Sequence, residues 1–302
     1  MKKLAHLSGI AFSSIFGLSF LFSKIALNYI QPITLIAFRF LLAFLVIEIL
    51  RLLKIIRIQF SKNKLKAILP IVLFQPILYF LFETYGLQLV ASSEAGMMIA
   101  LIPIMVSIFS ILILKEKPSA LQFLYILLSV GGIIFIQWMK STAGLFQNGW
   151  GIVLLFGAVL AAALFNIASR KANEQVTPIE ITYFMMLFGA IIFQTVYIVM
   201  LLGEGNISGY GRDLANLSVI GPILYLGIIA SIGGFFLVNF SLHHLSAPVS
   251  SIYSNLATVV SIIAGAVFLQ ERLDYYHYIG AAMIIFGVYQ TARLGNKKKQ
   301  VS

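Results

Sequence analysis

Residues 97–117 of the chain read MMIALIPIMVSIFSILILKEK, and the first eighteen of them carry no charge. An apolar run of this length can cross a hydrocarbon core of about 30 Å as an α-helix. Lipid offers no water to free backbone N–H and C=O groups, so a membrane-spanning segment must satisfy them internally, as a helix does. The stretch therefore predicts a transmembrane helix that ends at its charged residues, Lys115 to Lys117.

Similar apolar runs occur from one end of the chain to the other. The 302 residues are 60% hydrophobic and 10% charged, with a mean hydropathy of +0.99, whereas a soluble domain carries about 25% charged residues. The sequence lacks the short segments of alternating polarity that are typical of a membrane β-barrel. We therefore predict an all-α polytopic membrane protein embedded in a lipid bilayer.

Ten apolar runs are predicted to be transmembrane helices. They cover residues 7–27, 32–52, 67–90, 93–114, 119–138, 149–170, 178–202, 217–242, 246–269 and 275–293. No small-x-small cleavage motif follows the first run, so we interpret it as a retained helix and not as a signal peptide. On this division, residues 1–138 and 149–294 form two five-helix halves, and residues 295–302 form a basic cytoplasmic tail.

The distribution of Lys and Arg predicts the orientation. With the amino terminus inside, sixteen of the 21 basic residues fall in inner segments and three in outer segments. Basic residues accumulate on the cytoplasmic side of membrane proteins. We therefore predict a multi-pass plasma-membrane protein with both termini in the cytoplasm. Because the net charge of +11 belongs to these connections, nucleic acid is not an expected partner.

The two halves repeat each other. Residues 82–138 align without a gap with residues 237–293 at a shift of 155, which pairs Glu116 with Glu271. Each half has an odd number of predicted spans, so the second must enter the membrane with the opposite polarity. Inverted repeats place a central site near the bilayer midplane that can open to either side in turn. This symmetry favours a transporter.

Several short motifs are ordered as in one known family. They are Gly17-Leu18-Ser19-Phe20, Ala37-Phe38-Arg39-Phe40, Ala91-Ser92-Ser93-Glu94-Ala95, Leu101-Ile102-Pro103, Leu114-Lys115-Glu116-Lys117, Ala247-Pro248-Val249 and Leu269-Gln270-Glu271-Arg272. On these residues the chain resembles the EamA-type transporters of the drug/metabolite transporter superfamily over nearly its whole length. The resemblance implies ten helices in two inverted EamA-like repeats, and export or exchange of amino acids, metabolites or amphipathic drugs. The chain departs from the family at Thr258, which stands where a proline matching Pro103 is usual.

Charged residues inside the predicted spans cost about 2.5–3.5 kcal/mol each on insertion scales unless they are paired or hydrated. They are Lys24, Arg39, Glu83 and Glu94, whose charges sum to zero. Two interpretations stay open for this group. It is a structural ion-pair network joining the first four helices, or it lies in a cavity where Glu83 binds a cationic group or a coupling proton. Glu48 differs, because it lies at the inner end of its helix, where an i,i+3 pair with Arg51 or snorkelling to the interface explains it.

Polar, aromatic and methionine side chains on the same helices are further candidates for solute binding. Together with Glu83, the substrate-binding candidates are Tyr79, Met98, Asn166, Asn239, Tyr253 and Asn255. The alternative is that Asn and Tyr inside a bundle simply hydrogen-bond a neighbouring helix. Residues that soften helices at matching places in both halves are candidates for hinges. They are Pro76, Pro103, Gly233, Gly234 and Thr258.

The sequence gives little support for catalysis or metal binding. The chain has no cysteine, and His243-His244 lacks a third ligand at metal spacing, so no catalytic residue, metal site or cofactor is predicted. We predict a secondary transporter that exports small metabolites, such as amino acids or amphipathic organic solutes, by alternating access, with protons as a candidate coupling ion. The alternative is a lipid or lipid-precursor flippase on the same fold. An intramembrane enzyme is less favoured, because no nucleophile is paired with a base.

Overall fold

The computed structural model describes residues 1–59, 61–89, 97–140, 149–268, 270 and 272–298, and within these ranges it contains helices and no β-strand. The helical segments, numbered α1 to α10 in chain order, are Lys2–Leu27, Pro32–Leu52, Lys62–Val72 continued by Leu73–Leu78 and Tyr79–Leu89, Met97–Leu114, Ala120–Lys140, Gly149–Ala172, Pro178–Gly203, Leu217–His244, Ala247–Phe268 and Tyr275–Lys298. Of the described helices, nine are long and apolar enough to cross a membrane. The prediction of an all-α polytopic membrane protein is therefore confirmed.

The tenth helix, α10, differs from its expected form in two ways. It is 24 residues long, but it is not among the nine described helices whose length and composition suffice for a span. The count of ten spans is thus not confirmed, because polar residues such as Gln290 and Asn296 lower its hydropathy. The helix also continues to Lys298, so residues 295–298, which we expected in a tail, extend α10.

Small residues allow α10 to pack closely along α5. A Cβ atom on Gly132 would lie 2.7 Å from the backbone oxygen of Gly280, and one on Gly280 would overlap Ile136. A larger residue at either position would therefore have to push the two helices apart. Close contact between glycine-bearing faces is a common way for membrane helices to associate, since lipid provides no hydrophobic force between them.

Contacts between helix ends define two ends of the bundle. The Arg51 end holds the carboxyl end of α2 and the start of α3, with Lys64 bonded to Glu180 at the start of α7. Arg170 at the end of α6 bonds Glu116 after α4 at the same end. The opposite end, which we call the Gln31 end, holds the start of α2. Helix directions alternate between these ends, so the first half starts at the Arg51 end and the second at the Gln31 end.

Helices α3 and α8 are interrupted at matching places. In α3, the segment Leu73–Leu78 has π-helical bonding and an extended backbone at Gln75, with φ −149° and ψ 122°, directly before Pro76. In α8, Tyr225–Gly234 is π-helical. A shift of 155 places residues 73–78 on residues 228–233, inside the second segment. Proline removes a backbone donor, and π-helical turns in α-helices are frequent at functional sites.

Helices α4 and α9 are also interrupted at related positions. A turn at residues 100 and 101 precedes Pro103 in α4. In α9, a 3₁₀ segment at Ile252–Asn255 precedes Thr258. The shift of 155 brings residues 97–100 onto this segment. The softened places that we predicted from the sequence thus coincide with local departures from α-helical geometry in both halves, while their action as hinges stays a prediction.

Candidate solute-binding site

A buried arginine joins the two halves inside the bundle. Arg39 lies two turns into α2 and is only 9% exposed. Its Nε donates a hydrogen bond of 2.7 Å to Oγ of Ser231, in the π-helical segment of α8. The Ser231 hydroxyl donates in turn to the backbone oxygen of Leu226, at 2.8 Å. This chain of bonds connects a cation of the first half to an interrupted helix of the second.

Two aromatic rings flank the Arg39 guanidinium. Its Cζ lies 5.3 Å from the ring centre of Phe80 on α3 and 5.8 Å from that of Phe40 on α2. A guanidinium within about 6 Å of a ring centre is attracted by the negative face of the ring. The two rings pack edge to face with their centres 5.3 Å apart. They hold the charged group in place without neutralising it.

A carboxylate faces the same region from α3. Tyr79 Oη donates a 2.8 Å hydrogen bond to Oε1 of Glu83, one turn further along the helix. The charges of Glu83 and Arg39 interact through space, but the two side chains do not form an ion pair within 4.0 Å. Among the described residues, none hydrogen-bonds Oε2 of Glu83 or the Nη atoms of Arg39. Both groups therefore keep bonding capacity for water or a solute.

A cavity of about 110 Å³ extends from this cluster toward the Gln31 end, between α2, α3 and α7. Its lining residues are Gln31, Pro32, Ile33, Ile36, Phe80, Leu81, Thr84, Tyr85, Phe193 and Met200. Phe80 belongs both to this lining and to the aromatic pair beside Arg39. The cavity is thus mostly apolar, with a few polar groups, and its inner end is next to the charged cluster.

The other substrate-binding candidates lie in separate environments. Asn239 is fully buried, accepts from Ser169 Oγ at 2.7 Å and donates to Thr182 Oγ1 at 3.2 Å. Tyr253 bonds Nδ1 of His6 at 2.7 Å through its hydroxyl group. These contacts connect helices to one another, as expected for polar groups inside a membrane bundle.

The remaining three candidates are also buried. Asn255 donates to Ser129 Oγ at 3.1 Å, and Asn166 donates to the Ala162 oxygen of its own helix at 2.8 Å. Met98 is 8% exposed in the core. None of the seven candidates lines the cavity between α2, α3 and α7, so the structure brings together only Tyr79 and Glu83 of that set, beside Arg39.

Part of the predicted charge network lies outside the described residues. The side chain of Lys24 and the whole of Glu94 are in that part, as is Glu271, the repeat partner of Glu116. The sequence interpretation missed Phe80 and the role of Ser231 as the acceptor for Arg39. Ser231 could have been found, because the repeat pairs it with Pro76 at a predicted interruption.

Helices in two antiparallel halves, a charged cluster between the halves and interrupted helices beside it define a multi-pass membrane protein of the transporter class. The model of the EamA-like transporter family matches residues 3–138 and again residues 149–293. The chain belongs to the EamA-like transporter family.

Similar proteins agree with this assignment. The uncharacterized transporter YcxC of Bacillus subtilis is 34% identical over 284 residues, covering 94% of this chain and 91% of its own. An uncharacterized transporter of Archaeoglobus fulgidus is 27% identical, over 92% of this chain and 94% of its own. One crystal structure matches with a TM-score of 0.80 and 18% identity, over 97% of this chain and 98% of that one, which shows the fold alone.

Proposed function

We propose that this protein is a secondary transporter of the plasma membrane that exports small organic solutes, amino acids or amphipathic molecules, by alternating access. The observation that carries the proposal is the incompletely paired Arg39 and Glu83 cluster at the contact between the halves. A charge inside a membrane span is expensive, and conventional packing would pair it fully. An open guanidinium and an open carboxylate oxygen instead suit a solute with opposite charges.

The geometry suggests a role for each member of the cluster. The Nη atoms of Arg39 bind the carboxylate of a zwitterionic solute, because a guanidinium matches a carboxylate with two parallel hydrogen bonds. Oε2 of Glu83 accepts a bond from the ammonium group, or carries a proton when solute leaves. The apolar lining between α2, α3 and α7 receives the side chain of the solute. Tyr79 orients the carboxylate.

The interruptions in α3 and α8 support the alternating-access part of the proposal. Both flank the cluster: Pro76 lies three residues before Tyr79, and Ser231 itself binds Arg39. A cavity of about 110 Å³ is smaller than the 300–1,000 Å³ of typical ligand sites. Entry of a solute therefore requires the halves to move, and bending at Pro76 and at Gly233-Gly234 provides that movement without unfolding either helix.

The distribution of basic residues supports the proposed orientation. The Arg51 end carries Lys64, Lys115, Arg170 and Lys171. Positive charge marks the cytoplasmic side, so we place the Arg51 end and both termini in the cytoplasm. The cavity beside Arg39 then lies toward the outside.

Flux into and out of liposomes tests the proposal. Purified protein would be assayed with a panel of labelled amino acids, amines and amphipathic cations, with and without a pH gradient. We expect saturable flux for at least one solute and an about tenfold or larger loss in Glu83→Gln, because the amide keeps an acceptor oxygen but no longer offers a negative charge to the ammonium group. Tyr289→Phe, at an exposed tyrosine of α10, is the control and should keep parental flux.

Two results would contradict the proposal. Parental flux in Glu83→Gln, with correct insertion and an unchanged dependence on the pH gradient, would remove the carboxylate from the transport reaction. Transfer of labelled lipid between leaflets, with no flux of any soluble solute, would favour the flippase alternative instead. Loss of the pH-gradient dependence alone in Glu83→Gln would assign that residue to proton coupling.

A further inference from the structure

A carboxylate at the Arg51 end connects the two halves of the protein. Glu116 follows α4, and its Oε1 accepts a hydrogen bond of 3.0 Å from Nε of Arg170. Its Oε2 accepts a second bond, of 2.9 Å, from the backbone N–H of Ala247. Arg170 lies in the last turn of α6 and Ala247 is the first residue of α9. One side chain of the first half thus binds two helix ends of the second.

Arg170 extends this connection to a further helix. Its Nη1 donates to the backbone oxygens of Leu242 and His243, each at 3.0 Å, in the last turn of α8. Carbonyl groups in a last turn have no intrahelical donor, and a cation is favoured near a helix carboxyl end. Arg170 therefore completes the end of α8 while it holds Glu116. We call Glu116, Arg170 and the N–H of Ala247 the Glu116 bridge.

The backbone before the bridge holds Glu116 in position. Lys115 adopts a left-handed conformation, with φ +57°, which ends the helix. The N–H of Glu116 donates to the oxygen of Ser110, and Ser110 Oγ donates to the oxygen of Glu116, both at 3.1 Å. These two bonds fix the direction in which the carboxylate leaves α4. The bridge is therefore determined by α4 itself and not by a free loop.

Water can reach the Glu116 bridge. The side chains of Glu116 and Arg170 are 25% and 21% exposed. Partly exposed ion pairs contribute little net stability, because water replaces their bonds when they separate. By contrast, Glu180 of the neighbouring Lys64 pair is 2% exposed, so its separation would strand a buried charge. Of the two described ion pairs that join the halves at this end, the Glu116 bridge is therefore the better suited to repeated opening.

We propose that the Glu116 bridge is the gate of the Arg51 end: it closes this side of the central site, and it must break before solute can enter or leave there. The inference rests on the proposed function, since a gate needs alternating access. The described conformation agrees with a closed gate, because the bridge is formed while the cavity beside Arg39 extends toward the opposite end.

Thiol accessibility tests the gate, since the chain has no cysteine of its own. Ser107→Cys places a reporter on α4, where Ser107 is fully buried and its hydroxyl donates to the backbone oxygen of Pro103 in its own helix. Thr84→Cys places a second reporter in the cavity lining. We expect Glu116→Gln and Arg170→Gln to raise the modification rate at Ser107→Cys roughly threefold to tenfold. Modification at Thr84→Cys should become slower.

Matched variants complete the experiment. Glu174→Gln removes an exposed carboxylate at the same end and should leave both rates unchanged. The charge-swapped pair Glu116→Arg with Arg170→Glu restores an ion pair but not the bond to Ala247. We therefore expect both modification rates to return only part of the way to their parental values. If Arg170→Gln is not obtained as a monodisperse protein, Arg170→Lys serves in its place. Lysine keeps the charge, but it cannot donate to Glu116 and to the end of α8 from separate nitrogen atoms as arginine does.

The outcomes separate the gate from the transport function. Unchanged reporter rates in folded Glu116→Gln and Arg170 variants, or an equal rise in Glu174→Gln, would overturn the gate. Labelling needs no solute, so a reporter shift without flux for the solutes of the panel would support the gate and overturn the proposed solute class. Flux in the parent protein with unchanged rates in the variants would leave a transporter whose gate lies elsewhere.

Discussion

Among the residues that the structure describes, the two ends of the bundle are joined by different kinds of contact. At the Arg51 end, charged side chains cross between the halves, as in Lys64 with Glu180 at 2.7 Å. Toward the Gln31 end, the contacts between the halves are made by aromatic rings. Phe38 of α2 packs against Tyr197 and Tyr210, with ring centres 5.6 Å apart in each case. An ion pair has few favourable geometries, whereas packed aromatic rings tolerate small shifts of the helices that carry them. The helices are therefore held in fixed positions at the Arg51 end and can shift more easily at the Gln31 end.

The largest effect is expected where the Arg51 end is most buried. Glu180 accepts bonds from Lys64, from the N–H of Gln59 and from both the N–H and the hydroxyl of Thr177. Glu180→Ala leaves all of these donors without their carboxylate, so we expect a loss of about 3 kcal/mol in the free energy of unfolding. Thermal unfolding in detergent micelles measures it. Glu180→Gln, which keeps an acceptor, should lose less, and equal losses would contradict this account.

A smaller effect is expected for a tyrosine at the same end. Tyr183 Oη donates to Oε2 of Glu48 at 2.9 Å, and Glu48 also pairs with Arg51. Tyr183→Phe removes a bond to a charged group, which is worth about 1.5–3 kcal/mol, while Arg51 still pairs with the carboxylate. We expect a loss near the lower limit, measured by the same unfolding assay. A loss as large as that of Glu180→Ala would show that this tyrosine holds the halves together.

The smallest effect is expected for the matched change toward the other end. Tyr225 Oη donates to the oxygen of Ile15 at 2.9 Å, and its ring stacks on Phe22 with centres 4.2 Å apart. Tyr225→Phe removes one neutral bond and keeps the stack, so we expect a loss of about 1 kcal/mol or less. A greater loss here than in Tyr183→Phe would reverse the comparison between the ends.

Local patterns predicted several features correctly. The pair of Glu48 with Arg51 follows from an i,i+3 spacing, and the structure contains it. The interruption near Pro76 follows from the missing backbone donor, and its partner in α8 follows from the repeat. These features depend on residues close in the chain, or on a symmetry that the sequence shows directly. Local spacing and the repeat can both be read from the sequence without a structure.

The candidate site was only partly predictable. Arg39 and Glu83 stood out because charge is rare inside apolar runs, and the structure brings them to one region. Asn239 and Tyr253 were singled out by the same polarity argument, yet they bond Ser169 and His6. Polarity identifies residues that need a partner. It does not say whether that partner is another helix or a solute.

The sequence by itself determined the membrane class, the helical architecture and the antiparallel halves, since apolar length and repeat register are properties of the chain alone. Only the tertiary structure decided which side chains meet across the halves: Arg39 with Ser231, and Glu116 with Arg170 and Ala247. Such contacts depend on the rotation and offset of packed helices. Many different rotations are compatible with the same apolar runs, and packing selects one of them.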